Sequence, residues 1–169
     1  MEMRRLMALF VVLVMSLAAT ACSWDEDGLE DDDGYVRWEG MNDEYHAAVA
    51  SFPYPLPEGI VFPADAPYDP RRDDNTWFWV GEGELSAYEF AECAYRSLVI
   101  QNQYVDFAAA MSALDSAEEI HNAPFHQTYP RVVIGPSWQS VIDEVRQGDF
   151  SAYKEIYETD CVGGWTGFK

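Results

Sequence analysis

Lysine is nearly missing from this chain: Lys154 and Lys169 are the only two, and ten basic residues stand against thirty acidic ones. The formal net charge of −20 at pH 7 repels phosphate backbones and anionic headgroups, which argues against nucleic-acid binding and against electrostatic attachment to a membrane. Cysteine is scarce too, since Cys22, Cys93 and Cys161 are the whole set, too few for a disulfide-dense scaffold. None of the three has a second Cys or a His two to four places away, so the ligand spacing of a zinc site is absent. Glycine-rich phosphate loops are missing, because Gly81, Gly83, Gly163 and Gly164 fit neither G-x-G-x-x-G nor the P-loop. The string Gly135-Pro136-Ser137-Trp138 lacks the second glycine of a nucleophile elbow and reads as a helix start. Acids are so common that paired carboxylates carry no signal for glycoside cleavage.

Long uncharged apolar runs are absent except at the start. Met1-Glu2-Met3-Arg4-Arg5 precedes sixteen uncharged residues, Leu6 to Ala21 (LMALFVVLVMSLAATA), which end at Cys22. A basic start, an apolar middle and a small-residue exit are the parts of a secretory signal. Sixteen residues fall short of the roughly 20 that a helix needs to cross about 30 Å of hydrocarbon. Ala19-Thr20-Ala21-Cys22 resembles the bacterial lipobox, whose Cys is acylated and becomes the first residue of the mature chain. The usual Leu three places before that Cys is here Ala19. The resemblance implies a thioether diacylglycerol on Cys22, and two acyl chains at roughly 0.8 kcal/mol per buried methylene anchor a protein stably. Removal of the signal, which carries Arg4, Arg5 and Glu2, takes the net charge from −20 to −21. It leaves Cys93 and Cys161, which outside the cytoplasm pair by default; closing a loop of about 70 residues is worth roughly 4 kcal/mol in the chain-entropy model.

Ser23 to Gly34 reads SWDEDGLEDDDG. Charge this dense repels itself into an extended tether. Setting Gly28 or Gly34 at the sixth position of a calcium loop leaves no acid at both ends, so the calcium pattern fails. Asn42 or Asp43 is placed to cap a short helix through Ala50. Phe52-Pro53-Tyr54-Pro55-Leu56-Pro57 through Phe62-Pro63 alternates aromatics with prolines, which block a helix and deny ladder donors. It reads either as a strap burying Phe52, Tyr54, Leu56 and Phe62, or as an exposed docking strip. The strip Phe52–Pro63 resembles Pro-aromatic segments in lipoproteins of high-GC Gram-positive bacteria, a likeness that brings no activity with it.

Trp77-Phe78-Trp79-Val80 is either a short strand, paired with Ile60-Val61-Phe62, or a lead-in to the next helix. Residues 84–121 contain no Gly or Pro, and apolar residues recur at three- and four-place steps, which predicts two helices with a break near Gln103 to Asp106. Residues 122–130 read as a loop and Arg131-Val132-Val133-Ile134 as a brief extended piece. Pro136 opens a helix with the stripe Trp138, Val141, Ile142 and Val145. Asp149 is placed to cap a last helix with Phe150, Tyr153, Ile156 and Tyr157 inward, and Cys161 just past its end. His121 and His126, five places apart across Pro124, do not make a helical metal pair with Glu118 or Glu119 and read as loop histidines.

The expectation is therefore a mainly α protein of about four to five helices, with a Pro/aromatic extended strap and a minor β-hairpin. Residues 1–21 read as a signal, 22–42 as an acidic tether and 43–169 as a single helical domain. Function is expected to be that of a non-enzymatic envelope module, attached to the membrane through lipid and binding a protein or cell-wall partner. No cofactor, metal or nucleic acid is expected. Phe52, Tyr54, Trp77 and Trp79 are the candidate partner contacts, because six tryptophans offer faces for stacking even where most belong to a core. The alternative is an enzyme acting on envelope sugar or peptide.

Overall fold

The longest stretch without Gly or Pro becomes the spine of the molecule. The computed structural model describes residues 34–67, 76–128 and 137–163. In chain order it contains β1 (Tyr35–Val36), α1 (Trp38–Ala50), β2 (Phe78–Trp79), α2 (Glu82–Asn102), α3 (Phe107–His121), α4 (Pro124–Thr128), α5 (Trp138–Arg146) and α6 (Ser151–Ile156), which continues as a π-helical turn, Tyr157–Val162. The fold is mainly α, with one two-stranded antiparallel sheet. The signal, Cys22, most of the acidic run, Arg131–Ile134 and Pro136 lie outside the described residues.

The break in the central run falls where expected. Asp106 takes extended backbone and its carboxylate accepts the Ala109 amide at 3.0 Å, capping α3, while Val105 and Asp106 amides close the turn onto the Asn102 carbonyl. Ala91 and Ala94 of α2 and Ala110, Ala113 and Ala117 of α3 are all buried, and side chains this small let two backbones approach closely.

α1 begins at Trp38, earlier than a cap at Asn42 or Asp43 implies. Asn42 instead ties down the strap: its Oδ1 accepts the Ala66 amide at 2.8 Å and its Nδ2 donates to Asp65. Across the bundle, the Glu44 carboxylate accepts the Gly81 and Gly83 amides at 2.9 and 3.2 Å, so a side chain of α1 caps α2. Gly83 permits this crossing, since a Cβ there would lie 2.0 Å from the Met41 carbonyl oxygen.

β2 pairs with β1, Tyr35 opposite Trp79 and Val36 opposite Phe78, and not with residues 60–62. The reason is local: Gly59 sits at positive φ and Ile60 bonds back to the Pro57 carbonyl, making a turn of what a strand would need extended. The segment is a strap, as one of the two readings expected. Phe52 meets Phe62 at 5.1 Å and Tyr88 at 5.0 Å between ring centroids, and Phe62 meets Phe90 at 5.4 Å. Strap carbonyls without strand partners are satisfied by helix side chains, Tyr95 donating to Pro55 and Tyr45 to Pro63.

Residues 124–128, read as loop, form the short helix α4, and Phe125 stacks on Tyr88 at 5.0 Å. Ser137 caps α5, its hydroxyl accepting from the Ser140 amide at 3.2 Å. The expected stripe is buried, with Val141, Ile142 and Val145 at 0 % exposure in one core with Val99, Leu114, Phe150 and Tyr153. Asp149 accepts the Ser151 amide at 2.9 Å. Cys161 lies within the π turn and is bonded to Cys93 with Cα atoms 5.5 Å apart, 68 residues away in sequence. Among the described residues no helix is long and apolar enough to cross a membrane.

Candidate functional site

Glu92 and Arg96 stand one turn apart on α2 and are 1 % and 3 % exposed, positions where a charge survives only if paired. They bond each other through Arg96 Nη2 and Glu92 Oε1. Arg96 Nη1 also donates to Asp160 Oδ2 at 3.3 Å, and His121 Nδ1 lies 3.1 Å from Glu92 Oε1. Trp138 roofs the pair: the guanidinium sits 4.6 Å from its ring centroid, and the His121 ring stacks on it at 4.4 Å. One cluster thus joins the middle of α2, the end of α3, the start of α5 and the π turn beside the disulfide. Burial works against the Arg96 charge, but Glu92, Tyr153 and Asp160 together hold its pKa above the ordinary arginine value. Burial pushes the Tyr153 phenol far up, with Arg96 offsetting part of the rise. Tyr153 Oη, Arg96 Nε and Trp138 Nε1 are buried without a hydrogen-bond partner among the described residues. The cluster therefore depends on its charge pairing, because each such atom costs about 1–3 kcal/mol.

A histidine held by a carboxylate is the geometry of acid–base chemistry. Here the same carboxylate oxygen is shared with a buried guanidinium, and the ring is stacked, so the arrangement fixes His121 as one clasp among four elements. The sequence set aside a metal pair with Glu118 or Glu119 and read His121 as a loop residue; the structure makes it the last residue of α3 and pairs it with Glu92, while Glu118 binds Arg146 at 2.7 Å. Among the described residues no group of three or more His, Cys, Asp or Glu is arranged to hold a metal. The sequence did carry a hint of the cluster, since Glu92 and Arg96 sit at i and i+4 amid Ala, Cys and Tyr.

The four candidate contact residues fall in two places. Phe52 and Tyr54 pack on the strap against each other and against Tyr88, which leaves both half-buried. Trp77 and Trp79 flank Phe78, which points into the core. Strand alternation therefore puts them on the outer face of the hairpin with Tyr35 and Arg37. Trp77 is 41 % and Tyr35 44 % exposed, and the Arg37 guanidinium lies 3.8 Å from the Trp77 ring centroid. The result is an aromatic face with one cation of its own.

No family model, curated protein or solved structure matches this chain.

Beside the hairpin, Glu44, Ala47, Ala48, Ser51, Val80, Gly81 and Glu84 line a shallow depression of about 310 Å³. Burial, and then the nearby Glu44 charge, raise the Glu84 pKa. Glu44 itself is occupied in capping α2, so this depression follows from the α1–α2 crossing.

Proposed function

We propose that this protein is exported, carries lipid on Cys22 and acts at a membrane surface as a non-enzymatic binding module of the envelope. The observation that carries the reading is the Arg4-Arg5 start, the uncharged run and the Ala19-Thr20-Ala21-Cys22 exit. The Cys93–Cys161 bond supports it, because disulfides persist in oxidising, extracytoplasmic compartments. Binding is supported by the exposed outer face of the hairpin, where Tyr35, Trp77 and Trp79 stand beside Arg37. Aromatic rings of this kind add contact area at low entropy cost, and lipid attachment raises their effective concentration against a protein or wall component at the same membrane.

Two measurements test the two halves separately. Cys22→Ser is expected to abolish fatty-acid labelling and to release the protein from membranes; unchanged retention overturns the anchor. In-cell crosslinking followed by mass spectrometry is expected to give a discrete partner that Trp77→Ala diminishes. Crosslinks that are identical in that variant overturn the hairpin face as the contact.

A further inference from the structure

We propose that Tyr104, Val105 and Phe107, at the turn between α2 and α3, form a second docking surface that receives a basic protein bearing an apolar patch. Tyr104 is 87 %, Val105 84 % and Phe107 48 % exposed. The rings of Tyr104 and Phe107 both meet that of Phe150, at 6.4 and 6.3 Å, so these side chains are one continuous patch rooted in the core. The turn has no need of them. It closes through the Val105 and Asp106 amides on the Asn102 carbonyl, Gln103 Nε2 on the Ile100 carbonyl, and the Asp106 cap of α3. Polar residues would serve such a turn equally well, and would avoid exposing an aromatic and a β-branched side chain to water.

Charge and position identify the occupant. No lysine or arginine stands between Arg96 and Arg131, and the acids Asp106 and Asp149 adjoin Phe107 and Phe150 in sequence. A second copy of this chain brings the same net charge of −20, and an anionic bilayer repels it likewise, whereas a basic protein is attracted. Position adds to this under the anchored reading proposed above, on which this clause alone rests. Gly34, the first described residue, accepts the Val80 amide at its carbonyl just before α2. The patch lies past the far end of α2, and the 21 residues of that helix separate the two by about 30 Å. A domain tethered at its Gly34 end presents the patch away from its own anchor. Three side chains make a small contact, of the weak and transient class.

The test compares the mature Cys22→Ser protein with the same protein carrying Tyr104→Ser and Val105→Ser. The double change removes the apolar tip and leaves every charge in place. The probe is a synthetic amphipathic helix of leucine and lysine, its binding read by calorimetry and by backbone amide shifts. The expected result is shifts centred on residues 103–107 and an affinity at least about tenfold lower in the double variant, with an unchanged melting temperature. Equal affinity of the two proteins overturns the proposal, since charge alone would then account for binding. It is also overturned if a leucine–glutamate helix binds as well. Two further outcomes name a different occupant and overturn it: binding to phosphatidylcholine vesicles, or concentration-dependent self-association, that is lost in the double variant. Because the lipid is absent throughout, failure here leaves the Cys22 anchor to its own labelling experiment.

Discussion

At the residue scale the decisive feature is a guanidinium in a core. Removing one partner of a buried ion pair strands the other, at about 3–5 kcal/mol, whereas replacing both by apolar groups is often neutral. Arg96→Met is therefore expected to lower unfolding free energy in urea by about 3–5 kcal/mol, and Glu92→Leu with Arg96→Met to recover most of that loss. A single-variant effect below about 1 kcal/mol would show that the cluster is not the clasp described. Tyr45 makes a second point. It is fully buried and donates to the Pro63 carbonyl, and burial, helped by Asp65, raises its pKa to about 12 from 10.0. Being acidic with a raised folded pKa, it holds its proton more tightly when folded. Its contribution is complete below about pH 10 and is lost as the pH climbs towards 12. Denaturation followed across that window should show a falling stability that flattens in Tyr45→Phe; an identical slope in the variant would assign the fall elsewhere.

At the scale of elements, the α1–α2 crossing depends on a missing side chain. The Cβ that alanine adds at Gly83 would stand 2.0 Å from the Met41 carbonyl oxygen and 2.7 Å from the Tyr45 nitrogen, both backbone atoms that cannot swing aside. Gly83→Ala is expected to cost about 1–3 kcal/mol or more, as helices forced apart also lose the Glu44 cap. Gly148, at φ +93 with nothing near its Cβ position, gives the contrast. Alanine there strains only its own backbone, at about 1 kcal/mol. Paired melting curves check both, and equal losses would mean that close packing at Gly83 is not what the crossing requires. The strap belongs to this scale as well. Its prolines ruled out a helix from sequence alone, but its anchors, Asn42, Tyr45 and Tyr95, sit 18 to 40 residues from the strap positions they bond, in the helices that it crosses.

At the scale of the whole molecule, like charge dominates. Thirty acids stand against ten basic residues, two of which, Arg96 and Arg146, already pair with Asp160 and Glu118, so self-repulsion is the larger long-range effect. Raising ionic strength is expected to raise the melting temperature, because repulsion between exposed carboxylates is screened within about 10 Å at 0.1 M salt. A fall would mean that surface ion pairs outweigh it. The same charge, the helix pair broken at Gln103–Asp106 and the α5 stripe were legible in the sequence. Each rests on composition or on neighbours within a few residues, where the chemistry is local. What tertiary structure alone decided was pairing over distance: β2 with Tyr35–Val36 in place of residues 60–62, His121 with Glu92, and the Glu44 cap on α2. It also turned Asn42 from a cap into a strap anchor and left Tyr104 and Val105 facing water. Such choices depend on which faces meet once the helices pack, and a linear pattern specifies the faces but not their partners.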